Sequence, residues 1–386
     1  MRWACSVTMG DAFEGVIERG ADALSTALEG VAPDLVLAFL SAAYAPHYGE
    51  VPQRLRRAFP YSVLLGCSVS EVIGPGAKRG GAGGIALGAA ILPGVQVTPF
   101  HLEAEDFPET AGQWRRRTEV ASEDDPAFLL LADPASSRIE SLLPRIDAVF
   151  PGTPKSGALA GTGERIDPTV LFLGEEVYAS GLVGVALSGD IEMATLVVQE
   201  ARPIGEPMFV SACRGNTLIE LDRKPVGRVL EALYEALSVA EQASFPEALL
   251  LGVAMARQEI YGGGDFLLRA VTAAAEADGG IEVAHPIEQN QVVQFHLRDS
   301  GYAIREFERR CSAPLPAVGA LLFASRHSSL PFEGLRVRRD PAPFPPSTAS
   351  LSLCGFFSDG TIATRRGRTH LHRYTNTFTL FRARGR

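Results

Sequence analysis

Leu351-Ser-Leu-Cys-Gly-Phe-Phe-Ser-Asp-Gly-Thr-Ile-Ala363, followed by His370-Leu-His-Arg-Tyr-Thr-Asn-Thr377, is the stretch whose reading decides the fold. An apolar strand enters a glycine-bearing turn and a second strand follows. The turn gathers Phe356, Phe357 and Asp359, and the strand offers His370, His372 and Tyr374. Two aromatics, a carboxylate and imidazoles are groups that a small-molecule pocket uses.

The same plan of strand, helix, strand, glycine turn and long strand recurs upstream. In its first copy, Asp34-Leu-Val-Leu-Ala-Phe-Leu40 is a buried strand and Val51 to Phe59 has helical spacing. Tyr61 to Gly74 is a strand entering a glycine turn, and Gly84 to Leu92 closes the unit. In the second copy the strand is Ala127–Asp133 and the helix Ser136–Asp147. The turn is Lys155-Ser-Gly-Ala-Leu-Ala-Gly-Thr-Gly-Glu164, and the closing strand Gly181–Gly189. The third runs from Val318 through the Gly355 turn to a closing strand at Arg373–Phe381. Gly66, Gly161 and Gly355 are expected to be counterparts, each ending a strand. A helix over Pro225–Ala243 leads to a further strand at Ala248–Ala254, and Gln291–Asp299 alternates as a strand buried on one face. A repeat this long implies related α/β units packed together. The expected fold class is α/β, two related domains with mixed sheets covered by helices, divided as 1–205 and 206–386. The proline-containing stretch Gln199–Pro207 marks the connection, and Asp340–Thr348 is a proline-rich excursion.

A chain of 386 residues exceeds one ordinary core, which supports two domains. With 46% hydrophobic and 21% charged residues it has the composition of a globular protein. No apolar run reaches the roughly 20 residues of a membrane span, and the N-terminal apolar segment is too short for a signal peptide. Cytoplasmic location and no membrane insertion are the expectations. Five widely spread cysteines without a CxxC pair argue against a thiolate metal site. Net charge is −9, yet residues 298–386 hold 15 Arg against 6 Asp or Glu. That basic segment reads as a solvated surface, with an anionic partner as the alternative. No nucleic-acid module is recognisable, so no nucleic-acid partner is expected.

Taken in order, these motifs resemble the FIST family, a name read here as joining F-box and intracellular signal transduction. Gly66-Cys-Ser-Val-Ser-Glu-Val-Ile-Gly74, Gln199-Glu-Ala-Arg-Pro-Ile-Gly205 and Asn216–Asp222 are similar to its N-terminal region. Gly264–Arg269, Val293–Asp299, Gly319–Phe323, Gly355–Gly360 and His372–Thr375 are similar to its C-terminal region. The likeness covers about 30 to 380. Three places depart from the family pattern: Glu200-Ala201 stands where Gly-Cys is usual, Ala324–Ser329 where a Cys-x-Gly-Arg-Gly-like loop is usual, and Thr361 where an acidic residue is common. The resemblance implies a sensory role: binding of a small polar, amino-acid-like ligand, and output through a signalling protein partner. No kinase, cyclase or receptor segment is recognisable, so a stand-alone sensor is expected. A Cys67-dependent hydrolase or transferase and a ligand-free interaction scaffold are the alternatives.

Ten residues are candidates for ligand contact: Cys67, Ser68, Arg202, Arg269, His296, Arg298, Phe357, Asp359, His372 and Tyr374. Cys67 follows a strand at a glycine turn, where a thiol could be exposed, but no local base accompanies it. Arg298 and Arg202 present forks suited to a carboxylate; Arg298-Asp299 could equally be a structural ion pair. His370 and His372 face one side of a strand without a local third ligand, so no metal and no cofactor are expected. Adjacent residues on a strand point oppositely, so only one of Phe356 and Phe357 can face a pocket. Gly262-Gly-Gly-Asp265 lacks the Lys and Ser/Thr of a phosphate loop.

Overall fold

Apolar runs of six to eight residues between glycine turns suit strands buried on both faces. In the computed structural model of the chain they are the central strands of three mixed sheets. The structure describes residues 1–74, 77, 83–161, 169–262, 264–274, 279–310, 317–328 and 352–385. The proline-rich stretch Asp340–Thr348, the basic Arg336–Arg339, Cys311, Gly263, Ser329 and the end of the second glycine turn at 162–164 lie outside the described residues.

The first sheet has the order β1 (Arg2–Met9), β5 (Gly84–Ile91), β2 (Leu35–Ser41), β3 (Val63–Val69), β9 (Leu171–Leu173), β10 (Glu176–Tyr178). The second runs β6 (Val95–Leu102), β11 (Leu182–Gly189), β7 (Ala127–Ala132), β8 (Lys155–Leu159), β22 (Thr361–Arg365), β23 (Arg368–His372). The third runs β12 (Ile191–Gln199), β24 (Thr375–Ala383), β20 (Gly319–Ser325), β21 (Leu353–Ser358), β4 (Val72–Ile73). Each sheet is wired alike. Its first strand pairs in parallel with a glycine-bearing strand (β2 with β3, β7 with β8, β20 with β21). Beyond that strand lies an antiparallel strand taken from another unit. The chain leaving β3 pairs as β4 with β21, that leaving β8 pairs as β9 with β3, and that leaving β21 pairs as β22 with β8. The exchange is cyclic.

The glycine strands explain why the exchange holds. Gly66, Gly157 and Gly355 face Ala38, Leu130 and Leu322 in register. A Cβ at these glycines would come within 2.1, 1.8 and 1.8 Å of the respective carbonyl oxygens, which are fixed in a ladder. Two residues on, the backbone N–H groups of Ser68, Leu159 and Phe357 donate to the carbonyls of Val170, Gly360 and Glu71 at 2.8, 2.8 and 3.0 Å. All three acceptors belong to borrowed segments. The counterpart expected at Gly161 is thereby corrected to Gly157; Gly161 lies four residues on, with φ of 130° and a bridge to Val69. The glycines also stand inside strands and do not end them.

Inward faces of the three sheets share one apolar core. Leu37, Phe39 and Cys67 meet Leu129, Leu131 and Ala158 there, together with Phe323 and Phe356. Phe39 packs on Phe356 at 4.8 Å and Phe323 on Phe356 at 5.3 Å between centroids, contacts worth about 0.5–1.5 kcal/mol each beyond area burial. The alternate residues face outward under helices. Val36 and Leu40 lie under α1 (Phe13–Ala27) and α2 (Val51–Ala58), and Phe128 and Leu130 under α3 (Ala111–Thr118) and α4 (Ile139–Val149).

Two further helices, α5 (Val226–Glu235) and α6 (Val239–Ala248), replace the single helix expected over Pro225–Ala243. Ser238 breaks it, because its side chain and that of Glu241 form a capping box that starts a new helix. Both helices cover a fourth sheet, ordered β13 (Ala201–Arg214), β19 (Val292–Arg298), β16 (Leu249–Ala254), β17 (Phe266–Ala274), β18 (Ile281–Val283), β14 (Thr217–Leu221), β15 (Lys224–Pro225). The last helix, α7 (Ser300–Arg310), lays Phe307 on Phe378 of the third sheet at 5.1 Å. The class is mixed α/β, as the sequence implies. The third sheet combines β4 and β12 from before residue 205 with β20, β21 and β24 from after it.

Replacing Gly157 with Ala forces a Cβ onto the Leu130 carbonyl. Urea unfolding is expected to show a loss above about 3 kcal/mol for Gly157→Ala. Gly49→Ala, which meets nothing within 4 Å, should change stability by less than about 1 kcal/mol. Equal effects would contradict the carbonyl-contact account.

Candidate functional site

Where β12 of the third sheet becomes β13 of the fourth, the chain passes through Gln199 and Glu200, both buried. A buried amide and carboxylate must find partners. Gln199 donates Nε2–H to the Phe266 carbonyl at 2.6 Å and accepts from the Gly264 N–H at 2.9 Å, tying the connection to the start of β17. Glu200 Oε1 accepts from the Ser328 hydroxyl at 2.5 Å and from the Asn376 amide. Its backbone N–H donates to the Tyr374 carbonyl at 2.9 Å, and its carbonyl accepts from the Asp299 N–H at 3.0 Å. Glu200 thus binds four chain segments together.

A cleft of about 320 Å³ opens over this junction, lined by Glu200, Glu247, Arg298, Asp299, Ser300 and His327 among others. Arg298, at the end of β19, is exposed. Asp299 Oδ1 accepts from the Tyr302 N–H at 2.9 Å and so caps α7. Arg202 stands behind, 3.4 Å from Asp299 and paired with Glu241. The Glu241 carboxyl is lowered to about 2, chiefly by hydrogen bonds from the Ser238 side chain and backbone, with Arg202 adding to it. Tyr374 adopts φ of 54° and stacks on His327 with centroids 5.2 Å apart. That left-handed residue lies between β23, which ends at His372, and β24, which begins at Thr375, so His372 and Tyr374 do not share one strand as the sequence suggests. The cleft offers a guanidinium, three carboxylates, two hydroxyls (Ser244 and Ser300) and an imidazole. Such a set suits a ligand carrying both charges.

A second cleft of about 290 Å³ is lined by His296, Phe266, Tyr261, Gln294, Pro203 and Pro207 among others. His296 is buried, its Nδ1 3.0 Å from the Gln294 carbonyl, and its ring meets Phe266 at 5.3 Å. Burial lowers its pKa to about 4, against that hydrogen bond.

The remaining candidates lie elsewhere. Cys67 is fully buried in the central core, and burial pushes its thiol well above the usual value; this is not the environment of a nucleophile. Ser68 is buried, its hydroxyl accepting from the Val170 N–H at 2.9 Å. Phe356 and Phe357 are both core, one inward and one outward, and Asp359 pairs with Arg326 at 3.0 Å. Thr361, in place of the family's acidic residue, is buried with its hydroxyl 2.8 Å from that of Thr377. Arg269 and His372 are buried where β17 packs against β23. Among the described residues no three His, Cys, Asp or Glu are grouped to hold a metal.

Of the ten candidates, the first cleft is lined by Arg298, with Arg202 and Tyr374 behind it. Glu247, Ser300, Glu200 and His327 were not among them. For the last two a signal existed: Glu200 and His327 fall in two of the three departures from the family pattern, and folding brings those two together.

Two expectations follow. Unfolded imidazoles take up a proton near pH 6.5, whereas burial, with the charges of His370, Arg365 and Arg269, holds folded His372 to about 3, and His296 to about 4. Their stabilisation is therefore complete above about pH 6.5 and falls as pH drops, by about 1.4 kcal/mol per unit per histidine. Urea midpoints should decline between about pH 6.5 and 4.5, and His296→Gln should flatten that decline. An unflattened decline would show that His296 is not buried neutral. In the native protein a thiol reagent should leave Cys67 unmodified by peptide mapping until denaturant is added; native labelling would reopen the nucleophile reading.

Similarity to known proteins agrees with the motifs. A FIST N domain matches residues 34–224 and a FIST C domain residues 229–364. Two uncharacterized Mycobacterium tuberculosis proteins, MT0656 and Rv0628c, are each 28% identical over 360 residues, 92% of either chain. The uncharacterized Mycobacterium bovis protein Mb0898c is 28% identical over 380 residues, 97% of either chain. Among solved structures, a cyanuric acid hydrolase from A. caulinodans covers 77% of this chain and 99% of its own at 12% identity, with a TM-score of 0.24. The F-box in the reading of the family name is an error, the matched regions being FIST N and FIST C domains. No helix among the described residues is long and apolar enough to cross a membrane. The chain belongs to the FIST family of sensory signal-transduction domains.

Proposed function

We propose that the protein is a cytoplasmic sensor that binds a small zwitterionic ligand, amino-acid-like in chemistry, in the cleft over Glu200, and reports occupancy to a signalling protein. The observation that carries this reading is that one cleft of about 320 Å³ is lined by the exposed Arg298 together with Glu200, Glu247 and Asp299. A guanidinium fork suits a carboxylate, and the acidic residues suit an ammonium. The reading takes 1–205 and 206–386 as the two FIST domains, so the cleft lies at their connection. Glu200 links β12, β13, Tyr374 and Ser328, and a ligand there would bear on the relation of the halves. Cys67 chemistry is not part of this reading, because the thiol is buried in the central core.

Thermal melting with each of the twenty amino acids tests the proposal. At least one should raise the melting temperature by several degrees, since ligand bound to the folded state adds stability. Arg298→Ala should abolish that rise while melting within about 2 °C of wild type without ligand, because Arg298 is exposed. Either no shift with any amino acid or an unchanged response in the variant would sink the proposal.

A further inference from the structure

The contact between β17 and β23 gathers more positive charge than it neutralises. Arg269 is 8% exposed, yet among the described residues its guanidinium makes one long hydrogen bond, 3.4 Å to the Leu268 carbonyl, and no ion pair. A guanidinium has five N–H donors, and an uncompensated buried cation is strongly destabilising. Glu140, on α4, is the carboxylate nearby. Its oxygens lie 2.7 and 2.9 Å from His285 Nε2 and 4.0 Å from an Arg373 guanidinium nitrogen. Two guanidiniums and an imidazole therefore share one carboxylate, which is itself 40% exposed.

Independent of that charge imbalance, polar atoms at the same contact are buried with no hydrogen-bond partner among the described residues: Arg373 Nε, His285 Nδ1 and His372 Nε2. His372 is 1% exposed. Native proteins rarely leave such groups unsatisfied, and a water or an ion is among the partners that complete them. Neighbouring charges are accounted for elsewhere: Lys155 pairs with Asp147 at 3.0 Å, and Asp265 with Arg365 at 3.0 Å and Arg366 at 3.3 Å.

We propose that the β17–β23 contact holds a small oxyanion, a carboxylate or a phosphate, bound by the Arg269 guanidinium and the Arg373 Nε–H, with His285 beside them. The anion supplies the charge and acceptors that Glu140 alone does not. It bridges the second and fourth sheets, and neither Arg269, Arg373 nor His285 lines the cleft at Glu200.

Melting of the full chain at constant ionic strength, with chloride exchanged for inorganic phosphate or for acetate, tests the site. A rise with phosphate alone assigns a phosphate, and a rise with acetate assigns a carboxylate; either supports the site if Arg269→Met loses the rise. No rise with either probe overturns it, as does an Arg269→Met protein that responds like wild type. If Arg269→Met fails to fold, Glu140→Gln decides by calorimetric titration. Removing the competing carboxylate should tighten binding at least roughly threefold, and unchanged or weaker binding refutes the placement. Arg298→Ala should keep this response, which separates failure here from failure of the cleft reading.

Discussion

Everything in this molecule depends on three parallel strand pairs in which a glycine lets a neighbouring carbonyl approach closer than any Cβ would allow. Gly66, Gly157 and Gly355 bring their strands against β2, β7 and β20. Two residues later, each strand offers a backbone N–H to a segment from a different unit. A parallel pair alone would expose an edge, and an exposed edge invites aberrant pairing. Cyclic exchange covers all three edges with strands of the same chain. No unit completes its sheet alone, so the three are expected to fold as one cooperative body.

Filling the centre with Phe39, Phe323, Phe356 and Cys67 has a functional consequence. Three sheets facing one axis could enclose a site, but here side chains occupy the space, and the clefts lie at the periphery. The cleft over Glu200 forms where the third sheet joins the fourth, and the one at His296 is lined by the fourth sheet and its loops. The joins of the fourth sheet to the others also bury polar groups: Gln199 and Glu200 at one place, Arg269 and His372 at another, with the exposed Glu140 near them. Polar groups there carry both fold and function. Glu200 has its partners within the chain, whereas among the described residues Arg269 has one long hydrogen bond and no ion pair.

Much of the architecture was legible along the chain because each unit's strands are continuous apolar runs bounded by glycine. The strands around Leu37, Leu129 and Leu322 and the helices packed on them follow from local pattern. Where the reading slipped, a local cap or a long-range contact decided. Ser238 and Glu241 cut one helix into two, and the register with Leu130 picked Gly157 over Gly161. Candidate residues fared unevenly for the same reason. Arg298 reached a cleft because it is the exposed end of β19; the rest of that strand is buried on both faces, not on the one face that its alternation implies. Cys67 and Phe357 did not, because a residue after a glycine can face the core as readily as solvent.

The chain's own chemistry determined the strands, the helical faces and the family, since these depend on residues close in sequence. Tertiary structure decided which strand completes which sheet, that Glu200 meets Ser328 and Asn376, and that the buried Arg269 has Glu140 and Arg373 as charged neighbours. Those outcomes rest on contacts spanning more than a hundred residues, and no local pattern encodes the partner at the far end of such a contact.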